Sequence, residues 1–125
     1  MKAFSISQLA EAAGVSVHVV RDHVLRGLLR PVSRTASGYT VFDEHALARL
    51  RFVRQAFNAG IGLRDLVKLC GALDGNHAHA SACVDSVLQQ VQSRREALKA
   101  TETLLTALRP GRTTPRSGFI AGLAE

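Results

Sequence analysis

Basic side chains are concentrated near the start of the sequence, and most of them are arginines. Residues 1–54 contain eight Lys and Arg residues against four Asp and Glu, and seven of the eight are arginine. They are Lys2, Arg21, Arg26, Arg30, Arg34, Arg49, Arg51 and Arg54. Arginine presents a planar fork of N–H donors that fits phosphate oxygens and the guanine edge. The segment therefore favours nucleic acid as the partner of a chain whose net charge is +6.

A second group of residues could bind a metal ion. His77, His79 and Cys83 offer three donor atoms within seven residues, and imidazole and thiolate are both zinc ligands. A local cluster without a fourth ligand is weak evidence for a metal site, and the alternative is a polar turn before a helix. We favour the turn, we expect Cys70 to be a core residue, and we predict neither a metal nor another cofactor.

The residue types that carry catalysis are not spaced for it. The sequence has no nucleophile elbow, no glycine loop of the phosphate-binding type and no paired carboxylates. Its five histidines have no partner at a spacing that would position them. We therefore expect a binding protein and not an enzyme.

Two short helices joined by a glycine-containing turn are predicted at the start of the chain. Ser5 and Gln8 have the spacing of a capping box, and the helix that begins there ends at Gly14. Ser16 is placed to cap a second helix, which ends at Gly27. Two helices joined in this way are typical of a helix-turn-helix.

The second helix has an apolar face and a polar face. At about 100° per residue, Val17, Val20 and Val24 lie together on one side. The residues predicted to face outward are His18, Arg21, Asp22 and Leu25. In a helix-turn-helix this outward face enters the major groove of DNA. Arg21 could donate to guanine or to a phosphate, and an ordinary solvated arginine is the alternative.

A small β-hairpin, the wing, is predicted after the second helix. Residues 28–32 and 39–42 are rich in β-branched or aromatic side chains, and the polar segment 33–38 between them contains a glycine. Two side chains of this hairpin complete the predicted DNA-binding set. That set is Ser16, Val17, His18, Arg21, Arg34 and Tyr39.

Two further amphipathic helices are predicted after the wing. The third helix begins after Asp43 and ends at Gly60, and its apolar stripe is Leu47, Leu50, Val53 and Phe57. The fourth helix ends at Asp74 and Gly75, and its stripe is Leu63, Leu66, Val67, Cys70 and Leu73. We assign residues 1–75 to a winged-helix DNA-binding domain.

A long helix is predicted from about Ala82 to Leu108. Its apolar residues recur with the spacing of a coiled coil, although Arg94 and Thr101 interrupt one of the two rows. The predicted dimerisation residues are Val84, Val87, Val91, Leu98, Leu105 and Leu108. We assign residues 76–108 to a linker and the dimerisation helix of a homodimer. Residues 109–125 are assigned to a flexible basic tail.

The composition indicates where in the cell the protein is located. The sequence contains no apolar run of the ~18–20 residues that a membrane span needs. Its start has no apolar segment of the secretory type, and its two cysteines form no disulfide pattern. We therefore expect a cytoplasmic protein of mainly helical fold that does not bind membranes.

Several segments, in the same order along the chain, resemble those of the MerR family of winged-helix transcription regulators. Residues 6–21 resemble the family's first helix, turn and recognition helix, and residues 26–31 resemble its entry to the wing. Further matches are residues 38–42 in the wing, residues 50–54, and residues 59–66. The resemblance covers roughly residues 4–73 and implies a winged helix-turn-helix followed by an antiparallel dimerisation helix.

The sequence departs from the family pattern in two respects within this resemblance. Thr40 stands where family members usually have an arginine after the wing tyrosine, and Asp22 with His23 replaces the usual aromatic pair. A carboxylate that faces DNA is repelled by phosphate, or else it accepts a hydrogen bond from cytosine. Both departures predict weaker or altered operator binding.

The resemblance is strongest to the family's secondary regulators of bacterial mercury-resistance operons. It implies a repressor-like co-regulator that binds double-stranded operator DNA and lowers transcription, with the family's mercury sensor and RNA polymerase as further partners. In that sensor, cysteines of the dimerisation helix and of a C-terminal loop bind mercury, whereas no cysteine follows Leu108 here. We therefore predict no mercury site of its own. The alternative is a co-regulator that acts mainly by binding the sensor and not DNA.

Overall fold

The computed structural model describes residues 2–75 and 77–111. In chain order the elements are α1 (Ile6–Ala13), α2 (Val17–Leu25), β1 (Ser33–Arg34), β2 (Thr40–Val41), α3 (Glu44–Asn58), α4 (Leu63–Asp74) and α5 (His77–Ala107). The mainly helical fold with a two-stranded antiparallel wing is confirmed. None of the helices in residues 2–75 and 77–111 combines the length and the apolar character of a membrane span.

The chain divides into two units after Gln90. The first unit contains α1 to α4, the wing and the start of α5, and the second contains the rest of α5. From residue 112 onward, the predicted tail lies outside the described residues. The assignment of residues 1–75 and 76–108 to separate functions stays a prediction.

Local sequence signals set the ends of α1 and α2. The Ser5 side chain accepts from the Gln8 N–H, and the Gln8 side chain accepts from the Ser5 N–H, so the capping box is complete. Gly14 ends α1 with a φ of 73°, a left-handed conformation that favours glycine. Ser16 then caps α2 by accepting from the Val19 N–H at 3.2 Å.

A glycine reverses the chain at the end of α2. Gly27 has a φ of 82°, and its N–H donates to the Val24 carbonyl. The Leu28 N–H donates to the His23 carbonyl at 2.9 Å, which closes a Schellman motif. The reversal turns Leu28 and Leu29 into the interior, where both are at most 1% exposed.

The first strand of the wing lies later in the chain than predicted. We expected residues 28–32 to form it, but β1 is Ser33–Arg34 and pairs with β2 in the register Ser33 to Val41 and Arg34 to Thr40. Leu28 and Leu29, which suggested a strand, are core residues because of the turn at Gly27, whereas Val32 is exposed. The hairpin turn is held by the Thr35 hydroxyl, which accepts from the Tyr39 N–H at 3.0 Å.

One core cluster holds the helix-turn-helix on α3. Leu9 of α1, Val20 of α2 and Leu50 of α3 are each 0% exposed in this cluster. Phe42 joins it, and its backbone exchanges two hydrogen bonds of 2.8 Å with Phe4. Burying a leucine or valine side chain in this way contributes about 1.5–3 kcal/mol. The orientation of α2 therefore follows from its apolar face.

A second cluster joins α3, α4 and the start of α5. Its buried members are Leu28, Val53, Ala56, Ile61, Leu66, Leu69, Cys70 and Val87. Cys70 is 0% exposed, as expected of a core cysteine. Phe57 was predicted to lie in the stripe of α3, but it is 46% exposed, because Ala56 takes the inward position at this turn of the helix.

The last helix begins five residues before the predicted start. We expected Ala82, whereas α5 begins at His77, so His77 and His79 lie in a helix and not in a turn. The added segment is rich in alanine, which has the highest helix propensity. Ala80 is also buried, which favours the helical conformation there.

Candidate nucleic-acid interface

The exposed face of α2 carries the residues predicted to reach DNA. Val20 is fully buried, and Val17 and Val24 pack against the same cluster, so the opposite face is turned outward. His18 and Arg21 are exposed on that face. Within the described chain, Arg21 makes no hydrogen bond or ion pair, so its guanidinium is available to an external acceptor.

Two of the predicted DNA-binding residues also have a structural role in α2. Ser16 is exposed, but its hydroxyl already accepts the Val19 N–H as the helix cap. Val17 is half-buried against the core. What remains for an external partner is the exposed hydroxyl edge of Ser16 and the solvent side of Val17, both at the N-terminal end of α2.

The wing presents its two predicted residues to solvent. Arg34 on β1 is exposed, and Tyr39 is 72% exposed at the start of the returning segment. The backbone of the turn links them, because the Thr35 N–H donates to the Tyr39 carbonyl at 2.8 Å. Thr40 stands directly opposite Arg34 in the register. The wing therefore carries one arginine and one large exposed aromatic side chain.

Asp22 does not face outward as an isolated charge. The Arg26 Nε donates to both of its carboxylate oxygens, at 3.0 and 2.9 Å. This hydrogen bond holds the pKa of Asp22 below its ordinary value, so the group is a carboxylate at neutral pH. The neighbouring positive charge offsets the repulsion that we expected between Asp22 and DNA phosphates.

His23 has a positioned partner, contrary to our expectation for the histidines. Its side chain is buried, and its Nδ1 lies 3.4 Å from Asp22 Oδ2. Burial lowers the pKa of His23, and the contact with Asp22 opposes that shift. Its Nε2 is buried and has no hydrogen-bond partner among the described residues. The ring is therefore neutral at pH 7 and lies on the buried side of α2.

Internal contacts engage several arginines that the sequence suggested for DNA. Arg49 forms two hydrogen bonds with Asp74, at 2.8 and 3.2 Å, and the pair ties α3 to the end of α4. This pairing raises the pKa of Arg49 and lowers that of Asp74. Arg51 donates to the Ala12 carbonyl at 3.2 Å, and Arg54 lies over the Phe57 ring. Of these three arginines, only Arg49 is paired with a carboxylate, and Arg51 remains exposed.

The predicted dimerisation residues do not all face the same environment. Val87 is 8% exposed and packs into the second core cluster of its own chain, so it is not available as part of an intermolecular seam. The others keep exposed apolar surface, from 37% at Val84 to 70% at Leu98. Leu88 and Leu104 are also exposed and were not in the predicted set.

The three candidate metal ligands do not converge. Among residues 2–75 and 77–111, no group of three His, Cys, Asp or Glu side chains is arranged to hold a metal ion. His79 and Cys83 are four residues apart and share a face of α5, whereas His77 is turned away from Cys83 by the helical period. Burial raises the pKa of the Cys70 thiol, which keeps it protonated.

Comparison with known proteins agrees with this geometry. A family model described as MerR HTH family regulatory protein matches residues 4–73. The HTH-type transcriptional regulator MerD of Acinetobacter calcoaceticus is 55% identical over 109 residues, covering 86% of this chain and 90% of that protein. MerD of Pseudomonas aeruginosa is 54% identical over the same length, with 86% and 90% covered.

Solved structures share the fold at lower identity. The crystal structure of HiNmlR, a MerR family regulator lacking the sensor domain, was determined bound to promoter DNA. It superposes with a TM-score of 0.64 at 22% identity and covers 84% of this chain and 82% of its own. At this identity the likeness concerns the fold alone.

Proposed function

Since this chain belongs to the MerR helix-turn-helix family of regulatory proteins, we propose that it binds the operator of a mercury-resistance operon as a homodimer and lowers transcription. The observation that carries the DNA-binding part is the outward face of α2. Arg21 and His18 are exposed on a helix whose other face is anchored by a fully buried Val20. Residues near the start of such a helix are the ones that reach base edges in the major groove.

The wing supports the same proposal. Arg34 can contact a phosphate, and the exposed Tyr39 can pack on the sugar-phosphate backbone or donate its hydroxyl to it. The proposed DNA contacts are thus Ser16, Val17, His18 and Arg21 on α2, with Arg34 and Tyr39 on the wing. A solved family member with this fold is bound to promoter DNA, which favours the same mode here.

The assignment to mercury resistance rests on the relatives. Proteins named MerD share 54–55% of their residues with this chain over most of both lengths. We propose that the chain acts in the cytoplasm on the operator used by the mercury sensor, and that it contacts the sensor or RNA polymerase there. DNase footprinting on a mercury-resistance promoter, with and without the sensor, tests both the operator and the contact.

Replacing Arg21 by alanine is expected to weaken operator binding by about 1–3 kcal/mol, because one base or phosphate contact is lost. Fluorescence anisotropy with a labelled operator duplex measures the change. Lys99→Ala is the matched control, since Lys99 is an exposed basic residue on another face of α5 than Leu98, and the affinity of this variant should change little. Equal affinities for the Arg21→Ala variant and the unaltered protein would contradict the role of Arg21.

We also propose that the protein has no mercury site of its own. In support, Cys70 is buried with a raised pKa, and the donors near Cys83 do not converge in the described chain. Soft metal ions bind the deprotonated thiolate. Titration with mercuric ion against excess glutathione is therefore expected to leave no protein-bound mercury. A stoichiometric complex that survives glutathione would show this part of the proposal to be wrong.

A second candidate function follows from the internal pairing of arginines. Because Arg49 is paired with Asp74 within the chain, a co-regulator that acts mainly by binding the mercury sensor is a coherent alternative. The two functions differ in their response to salt. For binding to DNA, the logarithm of the affinity falls linearly with the logarithm of the salt concentration, because counterions are released from the phosphates. A protein that binds only the sensor would show no such DNA signal.

A further inference from the structure

Asp22 and Arg26 form a fixed pair on the recognition helix. The two residues are four apart on α2, with Asp22 nearer the N-terminus, which is the favourable order for an ion pair on a helix. Arg26 uses its Nε for both carboxylate oxygens, at 2.9 and 3.0 Å. Both side chains remain about half exposed, 46% for Asp22 and 49% for Arg26. The pair therefore lies where a large partner can reach it.

The carboxylate of this pair also lies beside a buried histidine. Asp22 Oδ2 lies 3.4 Å from the Nδ1 of His23, whose ring is buried under the helix. The His23 carbonyl accepts from the Leu28 and Leu29 N–H groups and so closes the end of α2. The imidazole thus borders the carboxylate on one side, and the two shorter hydrogen bonds to Arg26 Nε hold the guanidinium against it.

Arg26 keeps most of its hydrogen-bonding capacity. A guanidinium has five N–H donors, and only the one on Nε is engaged within the described chain. Arg26 is the residue that caps the C-terminal end of α2. In a docked recognition helix the N-terminal residues reach the bases, so a side chain at the other end lies nearer to the phosphates.

We infer that Asp22 is a positioning residue that holds Arg26 ready for a phosphate of the DNA backbone. The inference rests on the proposed function, because it requires α2 to dock on DNA. Ordering an arginine beforehand reduces the rotamer entropy lost on binding. Arginine is also suited to paired hydrogen bonds with phosphate oxygens. Asp22 then strengthens DNA binding despite its negative charge.

The negative charge of Asp22 alone predicts the opposite effect on DNA affinity. A carboxylate near phosphates repels them, so its removal would tighten binding. If Asp22 positions Arg26, its removal weakens binding as long as Arg26 is present. The sign of the change therefore separates the two roles.

A double-mutant cycle tests the inference. The four proteins are the unaltered chain, Asp22→Ala, Arg26→Ala and the double variant. Each is titrated by anisotropy against a duplex carrying a mercury-resistance promoter and an unrelated duplex of equal length, at several salt concentrations. Circular dichroism melts establish that α2 remains folded in each variant.

Arg26→Ala is expected to weaken binding to both duplexes alike and to lower the slope of log affinity against log salt by about 0.9, the value for one lost phosphate contact. Asp22→Ala is expected to weaken binding several-fold when Arg26 is present. In the Arg26→Ala background the same change is expected to be neutral or to tighten binding. This reversal of sign is the signature of a positioning residue.

Asp85→Ala is the matched control, since Asp85 is an exposed aspartate on α5 and its loss changes the net charge equally. Its effect should be the same with and without Arg26. Tighter binding by Asp22→Ala in the protein that retains Arg26 would overturn the inference and leave the proposed function standing. If the unaltered chain shows no salt-dependent binding to either duplex, both are overturned.

Discussion

Changing Leu98 and Leu105 to glutamate is expected to dissociate the proposed homodimer into monomers and to abolish tight operator binding. The two leucines are 70% and 62% exposed, and their seven-residue spacing places them on one face of α5. In the proposed homodimer they are covered by the partner helix. Burying unpaired carboxylates there costs several kcal/mol, which corresponds to more than a hundredfold weaker dimer.

The same substitutions should leave the folded chain intact, because both side chains face solvent in the single chain. Sedimentation equilibrium at micromolar concentration measures the association, and anisotropy measures operator binding. Leu98→Met with Leu105→Met is the conservative control and should still dimerise, since methionine keeps the apolar volume. Lys99→Glu is the charge control, because it introduces a carboxylate at a neighbouring exposed position on another face of α5. A dimer of normal affinity in the double glutamate variant would remove α5 from the proposed interface.

Leu50→Ala is expected to lower the free energy of unfolding by about 2–5 kcal/mol, because it removes three buried carbon atoms and leaves a cavity. Leu50 is 0% exposed and lies in the cluster that joins α1, α2 and α3. A loss of this size is a large fraction of the stability of a small domain. On heating, we therefore expect the variant to lose operator binding at a lower temperature than the unaltered protein, because the cluster that supports α2 unfolds earlier.

Leu25→Ala is the matched control for this prediction. It is the same chemical change, but Leu25 is 88% exposed on α2. Its effect on stability should stay within about 0.5 kcal/mol. Urea unfolding followed by circular dichroism measures both variants. Similar midpoints for Leu50→Ala and Leu25→Ala would show that the described cluster does not stabilise the domain.

The helix-turn-helix was predictable because its signals are local. The capping box at Ser5, the cap at Ser16 and the glycines at positions 14 and 27 each act within a few residues. The valine spacing in α2 also specified which face is buried. The first wing strand was misplaced because an apolar run after a glycine fits a strand and a buried turn equally well, and only the packing of Leu28 and Leu29 distinguishes them.

The engagement of charged side chains was not predictable in the same way. Arg49 and Asp74 are 25 residues apart, and their pairing depends on how α3 packs against α4. Val87 fits the heptad spacing, but it is covered by its own chain. The pair of Asp22 and Arg26 has a local spacing that could have suggested it, whereas the burial of His23 beneath it could not be read from spacing alone.

The sequence by itself determined the order of the helices and the outward face of α2, because short-range capping and helical periodicity specify them. The family followed from the resemblance of several segments to known regulators. The tertiary structure alone decided which charges remain for DNA. Arg21 stays available, Arg49 is engaged by Asp74, and the buried His23 ring lies against the Asp22 carboxylate. The reason is physical: a charge is engaged by whatever the packed chain brings within hydrogen-bond distance, and distance in space does not follow distance in sequence.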